Sequence, residues 1–121
     1  MMKGVKLTLN IERNVHVKLN ALLAQIVITN LINNSNRHNT SNGEIFIELS
    51  HENFYIENTG LEQEFSNDTI FQRFKKGKHK SESIGIGLAL VKKILTVYDF
   101  DIMYNFHQKR HSFTIKFNKF V

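Results

Sequence analysis

Asn30-Leu-Ile-Asn-Asn34-Ser-Asn-Arg37-His38 closes a segment whose apolar residues keep helical spacing. Leu19, Leu22, Leu23, Ile26, Val27, Asn30, Leu31 and Asn34 recur at three and four. That period is one face of an amphipathic helix, predicted over about 20–37. The stripe runs out into carboxamides, which a purely structural helix does not need. Six Asn fall between Asn30 and Asn42. A low-complexity polar tract is rejected for Asn30–Asn36, because the apolar residues around them stay in register with the helix.

A second stretch, Ser83-Ile-Gly85-Ile-Gly87-Leu88-Ala-Leu-Val91-Lys92-Lys93, is a glycine turn that runs into a helix. That helix is predicted from Gly87 to Tyr98, with Leu88, Val91, Ile94 and Leu95 inward. Its first N–H groups lack internal partners, and the helix dipole is positive there, so the turn can hold phosphate. Alone, Gly-x-Gly is equally a turn that needs glycine for its geometry.

Around these two stretches the chain reads as short strands. Val5–Ile11 alternates apolar and polar, as a half-buried strand does. Glu44–Leu49 and Asn53–Glu57 flank a polar turn, and Asn58-Thr-Gly60 is expected to break the second strand. Leu61 to about Asn67 reads as loop, and Thr69–Phe74 as a single helical turn. Asp101–His107 and Ser112–Phe117 read as a closing hairpin that turns near Gln108–Arg110. The order β-α-β-β-loop-α-β-β predicts an α+β fold, a two-layer α/β sandwich. Strands adjacent in sequence should pair as hairpins, under helices on one face.

At 121 residues and 41% hydrophobic, with ten Phe, the chain can bury one core, so one domain over 1–121 is expected. The absence of Cys excludes disulfides and thiolate metal sites. No apolar run approaches the ~18 residues of a membrane span. Met1-Met2-Lys3-Gly4 lacks the apolar stretch of a signal peptide, so the cytoplasm is the expected compartment. Net charge is +5, and Arg73, Lys75, Lys76, Lys78 and Lys80 crowd together beside Gly77 and His79. A solvated loop, a nucleic-acid patch or a phosphate-facing loop would each carry such a cluster. His16, His38, His51, His79, His107 and His111 show no metal-ligand spacing.

Asn30 and Asn34 lie four apart on one helix face. Neutral oxygens of this kind suit Mg²⁺, which keeps waters and takes other ligands from phosphate. The bland alternative, Asn tolerated at a left-handed helix cap, accounts for Asn36 and Asn39 better than for Asn30.

Four boxes in order and spacing resemble the ATP-binding catalytic domain of bacterial sensor histidine kinases. That domain has the Bergerat fold of the gyrase, Hsp90, histidine kinase and MutL superfamily. The boxes are Asn30–His38, Ile56-Glu-Asn58-Thr-Gly60, Ile70-Phe71-Gln-Arg73-Phe74-Lys-Lys76-Gly77 and Gly85-Ile86-Gly87-Leu88-Ala89. The resemblance runs from about Val5 to the C-terminus. It implies ATP and Mg²⁺ as cofactors and a mobile ATP lid at about 61–84. Asn34 would coordinate Mg²⁺ with Asn30 beside it. Arg37 would reach phosphate, and His38 the ribose–phosphate region. Asn58 would read adenine, and Gly60 would let the backbone pass close to the base. Arg73 and Lys76 would stabilise the γ-phosphate, and Gly85, Ile86, Gly87 and Leu88 would cradle the phosphates. Phe71 and Phe74 would anchor their box to the core.

Three positions depart from the family pattern: Asn58 for Asp, Glu62 for Gly and Ser83 for Gly. A carboxamide can still accept from the adenine amine and donate to the ring. Asn30 stands where the family's ATPases carry a Glu that activates water, and a carboxamide cannot act as a general base. The resemblance therefore implies phosphotransfer to a histidine and almost no hydrolysis. The implied partners are dimerisation and histidine-phosphotransfer helices outside this chain and a response-regulator receiver domain, with no nucleic acid and no direct membrane contact. Without those helices a monomer is expected. The alternatives are a docking module that has lost ATP and, more remotely, a superfamily ATPase.

Overall fold

Asn20 starts the first helix. Its side-chain oxygen accepts from the N–H groups of Leu22 (2.9 Å) and Leu23 (3.1 Å), satisfying two donors that a helix start leaves open. The structure is a computed structural model that describes residues 4–63, 65–72 and 87–117. Its elements are β1 (Lys6–Ile11), α1 (Ala21–Arg37), β2 (Glu44–Leu49), β3 (Asn53–Thr59), α2 (Gly87–Val97), β4 (Asp101–His107) and β5 (Arg110–Lys116).

The five strands form one mixed sheet in the order β1-β2-β3-β5-β4. The hairpins β2–β3 and β4–β5 are antiparallel, as predicted. Two pairings are not sequential hairpins. β1 runs parallel to β2, because α1 crosses over between them, and β3 pairs with β5 rather than β4. β3 also continues through Asn58 and Thr59, so the Asn-Thr-Gly signal ends the strand at its glycine.

Strand pairing lays the residues facing the helices in three rows. One row is Leu9, Ile47, Ile56, Phe113 and Tyr104. Another is Ile11, Leu49, Phe54, Ile115 and Ile102. The third is Leu7, Ile45, Asn58, His111 and Phe106. Under the sheet, Val27 and Leu31 of α1 and Val91, Ile94 and Leu95 of α2 complete one core. The opposite face carries Glu44, Glu57, Tyr55 and Arg110. Arg110 donates to Glu57 (3.1 Å) and Glu44 (2.8 Å), a solvated network that marks this face as uncovered.

Three local details differ from expectation. β1 is exposed along its whole length instead of half-buried. Leu22 of the predicted stripe turns outward, and the buried line of α1 is Val27, Leu31 and Ser35. The Asn-rich end of α1 uses no left-handed cap. His38 caps it at φ −96°, and the left-handed Asn residue is Asn42 (φ 58°), in the following turn.

α2 ends as its sequence permits. Phe100 donates to Leu95 (2.9 Å) and Asp99 to Thr96 (3.1 Å), with Asp99 left-handed at φ 60°. This paired bonding satisfies carbonyls that a helix end leaves open. Gln108 and Lys109 make the two-residue turn of the β4–β5 hairpin, both with positive φ. Residues 66–72 make turns, with Ile70 donating to Ser66 (3.0 Å) and Gln72 to Thr69 (3.1 Å), while the last two residues of the helical turn expected over Thr69–Phe74 lie outside the described residues. Phe71 packs edge-to-face on Phe113 at 6.0 Å and so anchors its box, as expected. Phe74 lies outside the described residues.

Candidate nucleotide site

The third row is where the apolar pattern fails. Asn58 is 1% exposed, between Ile45 on one strand and His111 on the other. A buried carboxamide needs partners, and its NH₂ donates to the Thr59 carbonyl at 2.9 Å. Beside it, Gly60 is required by close approach. A Cβ there would lie 2.3 Å from the His111 ring. His111 in turn shares a 2.7 Å hydrogen bond between its Nδ1 and the Tyr104 hydroxyl, and its ring packs on Phe106 at 4.7 Å. The Gly60 N–H donates to Lys109 in the hairpin turn (2.9 Å), which fixes this end of β3.

α1 and α2 meet where Asn30 faces Gly87. The Asn30 NH₂ donates back to the Ile26 carbonyl at 2.7 Å, which turns Oδ1 away from its own helix. A Cβ on Gly87 would come within 2.6 Å of that oxygen. Gly87 begins α2, so a carboxamide oxygen sits against the positive end of a helix. Asn34, one turn further along α1, is half-buried, and its carboxamide makes no hydrogen bond among the described residues.

Next to it, the Ser35 hydroxyl is fully buried and without a hydrogen-bond partner among the described residues. Arg37 and His38 lie exposed at the end of α1. Leu88 is half-buried against the core. Arg73, Lys76, Gly85 and Ile86 lie outside the described residues.

Asn39 has a structural task. Its NH₂ donates to the Glu44 carbonyl (2.9 Å), and its oxygen accepts from the Thr40 N–H (2.8 Å) and the Thr59 hydroxyl. It thereby ties the end of α1 to β2 and β3, and Gly43 is needed so that these groups can meet. The expectation that Asn39 is structural holds, through side-chain bonding instead of a left-handed cap.

The sequence reading passed over two residues of this region. In the sequence His111 is one of six histidines open to a metal or phospho-acceptor reading, and its place across the ladder from Asn58 is visible in neither strand alone. Ser35 was hidden in an Asn-rich run, although it continues Val27 and Leu31 at steps of four.

The donor set fits a magnesium ion of the expected kind. The Asn34 carboxamide is uncommitted among the described residues, the Asn30 oxygen is turned away from its own helix, and both are neutral hard oxygens. No trio of His, Cys, Asp or Glu gathers as a metal site among the described residues.

A two-layer sheet-and-helix domain with carboxamides at a helix N-terminus defines a class, and comparison with known proteins gives the family. The sequence matches the histidine kinase-, DNA gyrase B- and HSP90-like ATPase family over residues 20–119, and the chain belongs to that family. In structure it is similar to the catalytic domain of histidine kinase ThkA in a nucleotide-free form. That match has TM-score 0.80 at 18% identity, over 97% of this chain and 80% of the other. It is similar to the mycobacterial sensor histidine kinase MprB (TM-score 0.80, 15% identity, 94% and 83% covered). The Acinetobacter baumannii histidine kinase AdeS matches at TM-score 0.72 and 24% identity, over 96% of this chain and 55% of AdeS. No curated protein matches the sequence. At these identities the structural likeness establishes the fold, which is the predicted one. No described helix is long and apolar enough to cross a membrane.

Proposed function

We propose that this chain is the ATP-binding catalytic domain of a sensor histidine kinase. It binds Mg·ATP and presents the γ-phosphate to a histidine on separate dimerisation helices. The contact between the Asn30 oxygen and Gly87 carries this reading, because it joins the carboxamide helix to a helix N-terminus at one point. Asn34 holds the metal, with Asn30 beside it. The first N–H groups of α2, with Gly85, Ile86, Gly87 and Leu88, cradle phosphate. Asn58 offers its oxygen to the exocyclic amine of adenine, beside Gly60. Arg37 and His38 approach the phosphate and ribose from the end of α1.

Arg73 and Lys76 belong to a lid over about 61–84, entered through the turn that Phe71 anchors. They neutralise charge on the transferring phosphoryl group. The domain occupies 1–121 and works in the cytoplasm, and its phosphoryl group passes on to a response-regulator receiver domain. Catalysis is positioning and electrostatics. Asn30 supplies no general base, so bound ATP is held without being hydrolysed.

Turnover separates the branches of the family. The purified chain should bind ATP yet release ADP no faster than a buffer blank. Sustained hydrolysis would place it among the ATPases. The second reading is a docking module without nucleotide. The His111 ring against Gly60 favours it, since that ring fills space at the adenine end. Absence of ATP binding would select it.

A further inference from the structure

β1 is a terminal strand, and Leu7, Leu9 and Ile11 are 56%, 57% and 52% exposed on the face that the helices cover elsewhere. Natural edge strands rarely leave such a stripe bare. The parallel ladder to β2 fixes which backbone groups are used. Lys6 donates to Gly43 (2.9 Å) and Glu12 to Leu49 (2.9 Å), so even-numbered residues face β2. The N–H and C=O groups of Leu7, Leu9 and Ile11 therefore point to the open edge.

We infer that β1 pairs with β1 of a second copy, antiparallel about a two-fold axis through Leu9. This register sets Leu9 against Leu9 and Leu7 against Ile11, all with outward backbone groups. The two strands then exchange about six hydrogen bonds, the pattern of an antiparallel ladder. It also sets Thr8 against Asn10 and Lys6 against Glu12, so each end of the pair joins opposite charges. Glu12 already meets His51 with both oxygens, Oε2 at 2.7 Å from the ring and Oε1 accepting from the backbone N–H at 3.1 Å, and each oxygen keeps a further lone pair.

The axis is perpendicular to the sheet, so both helical layers lie on one side. Leu7, Leu9 and Ile11 of each chain then cover one another. A contact confined to one strand from each chain sits at the weak end of specific association. The inference is independent of the nucleotide reading, and it replaces the monomer expected from sequence.

Sedimentation velocity on the full chain tests it, from about 10 to 500 μM, where weak pairing is populated. The wild-type chain should shift from monomer to dimer across this range. Leu9→Lys, at an exposed position, should remain monomeric with unchanged helicity, because it opposes two cations at the axis.

The decisive experiment mixes two variants. Lys6→Glu and Glu12→Lys each place like charges at both ends of the pair and should self-associate at least about tenfold less tightly. Mixed together they restore both opposite-charge pairs, and native mass spectrometry should find the heterodimer in excess. A wild-type chain that stays monomeric throughout would overturn the inference. A dimer that survives Leu9→Lys, or a mixture that associates no better than its components, would do the same.

Discussion

Two parts of the same sheet face differ in what they bury. The rows through Ile56 and Phe54 are apolar from strand to strand, and the helices close over them from β2 to β4. The row through Asn58 and His111 instead holds a fully buried carboxamide with a half-buried imidazole across the ladder from it. Burying a polar group costs free energy unless it finds a partner, and here the Thr59 carbonyl and the Tyr104 hydroxyl serve Asn58 and His111. The apolar rows hold the fold together, and the proposed function gives the polar row to the ligand. Substitutions in the first should damage stability, and substitutions around the second should damage binding.

The largest effect is expected in the apolar rows. Phe113 is 1% exposed and packs against Phe71 and Tyr104. Phe113→Ala should cost about 3–5 kcal/mol in urea unfolding, through lost burial and the cavity left behind. A cost below about 1 kcal/mol would mean that this row is not the centre of the core.

Asn34→Ala should do the reverse. Unfolding should shift by less than about 0.5 kcal/mol, as for a side chain without partners among the described residues, while Mg-dependent ATP affinity falls at least about tenfold. Unchanged affinity in Mg²⁺ would remove Asn34 from the metal site.

Ser35→Ala sharpens the comparison from the helix side. The fully buried hydroxyl has no partner among the described residues, so its removal should stabilise the domain by about 1 kcal/mol. Destabilisation would show that the hydroxyl is bonded in solution.

The smallest effect belongs to the solvated face. Burial, then the hydrogen bond to Glu57, pushes the Tyr55 hydroxyl from 10.0 up to about 12. A raised folded value favours the protonated form. The stabilisation is complete below pH 10 and is lost as pH rises through 12. Tyr55→Phe should flatten stability across that window. The hydrogen bond from Arg110, and then its charge, lower the Glu44 carboxyl. That contribution is present above the usual carboxylate range and fades as pH falls through the lowered value. An unfolding series in which Tyr55→Phe tracks the wild type from pH 10 to 12 would detach Tyr55 from this network.

Much of this contrast was legible in the sequence, for reasons visible in particular residues. Both helices were readable because Val27, Leu31, Val91, Ile94 and Leu95 carry a strong period and Asn20 is a good cap. The hairpins were readable from local turns. Pairing between distant strands was not, since nothing local in β3 specifies β5 as its neighbour over β4. His111 shared that fate. Its meaning comes from Asn58 across the ladder, and one strand read alone cannot supply that. β1 alternates like a half-buried strand, yet the helices stop short of it, which only the assembled layers reveal. In the site, the carboxamides and glycines were legible as types, whereas the contact of Asn30 with Gly87 depends on how two helices cross.

Calorimetric titration of the purified chain with ATP, with and without Mg²⁺ and with GTP as control, tests the central claim most directly. The account predicts adenine-selective binding, with Kd about micromolar, that weakens when Mg²⁺ is chelated. Equal heats for ATP and GTP, or no binding at ~1 mM ATP, would contradict it.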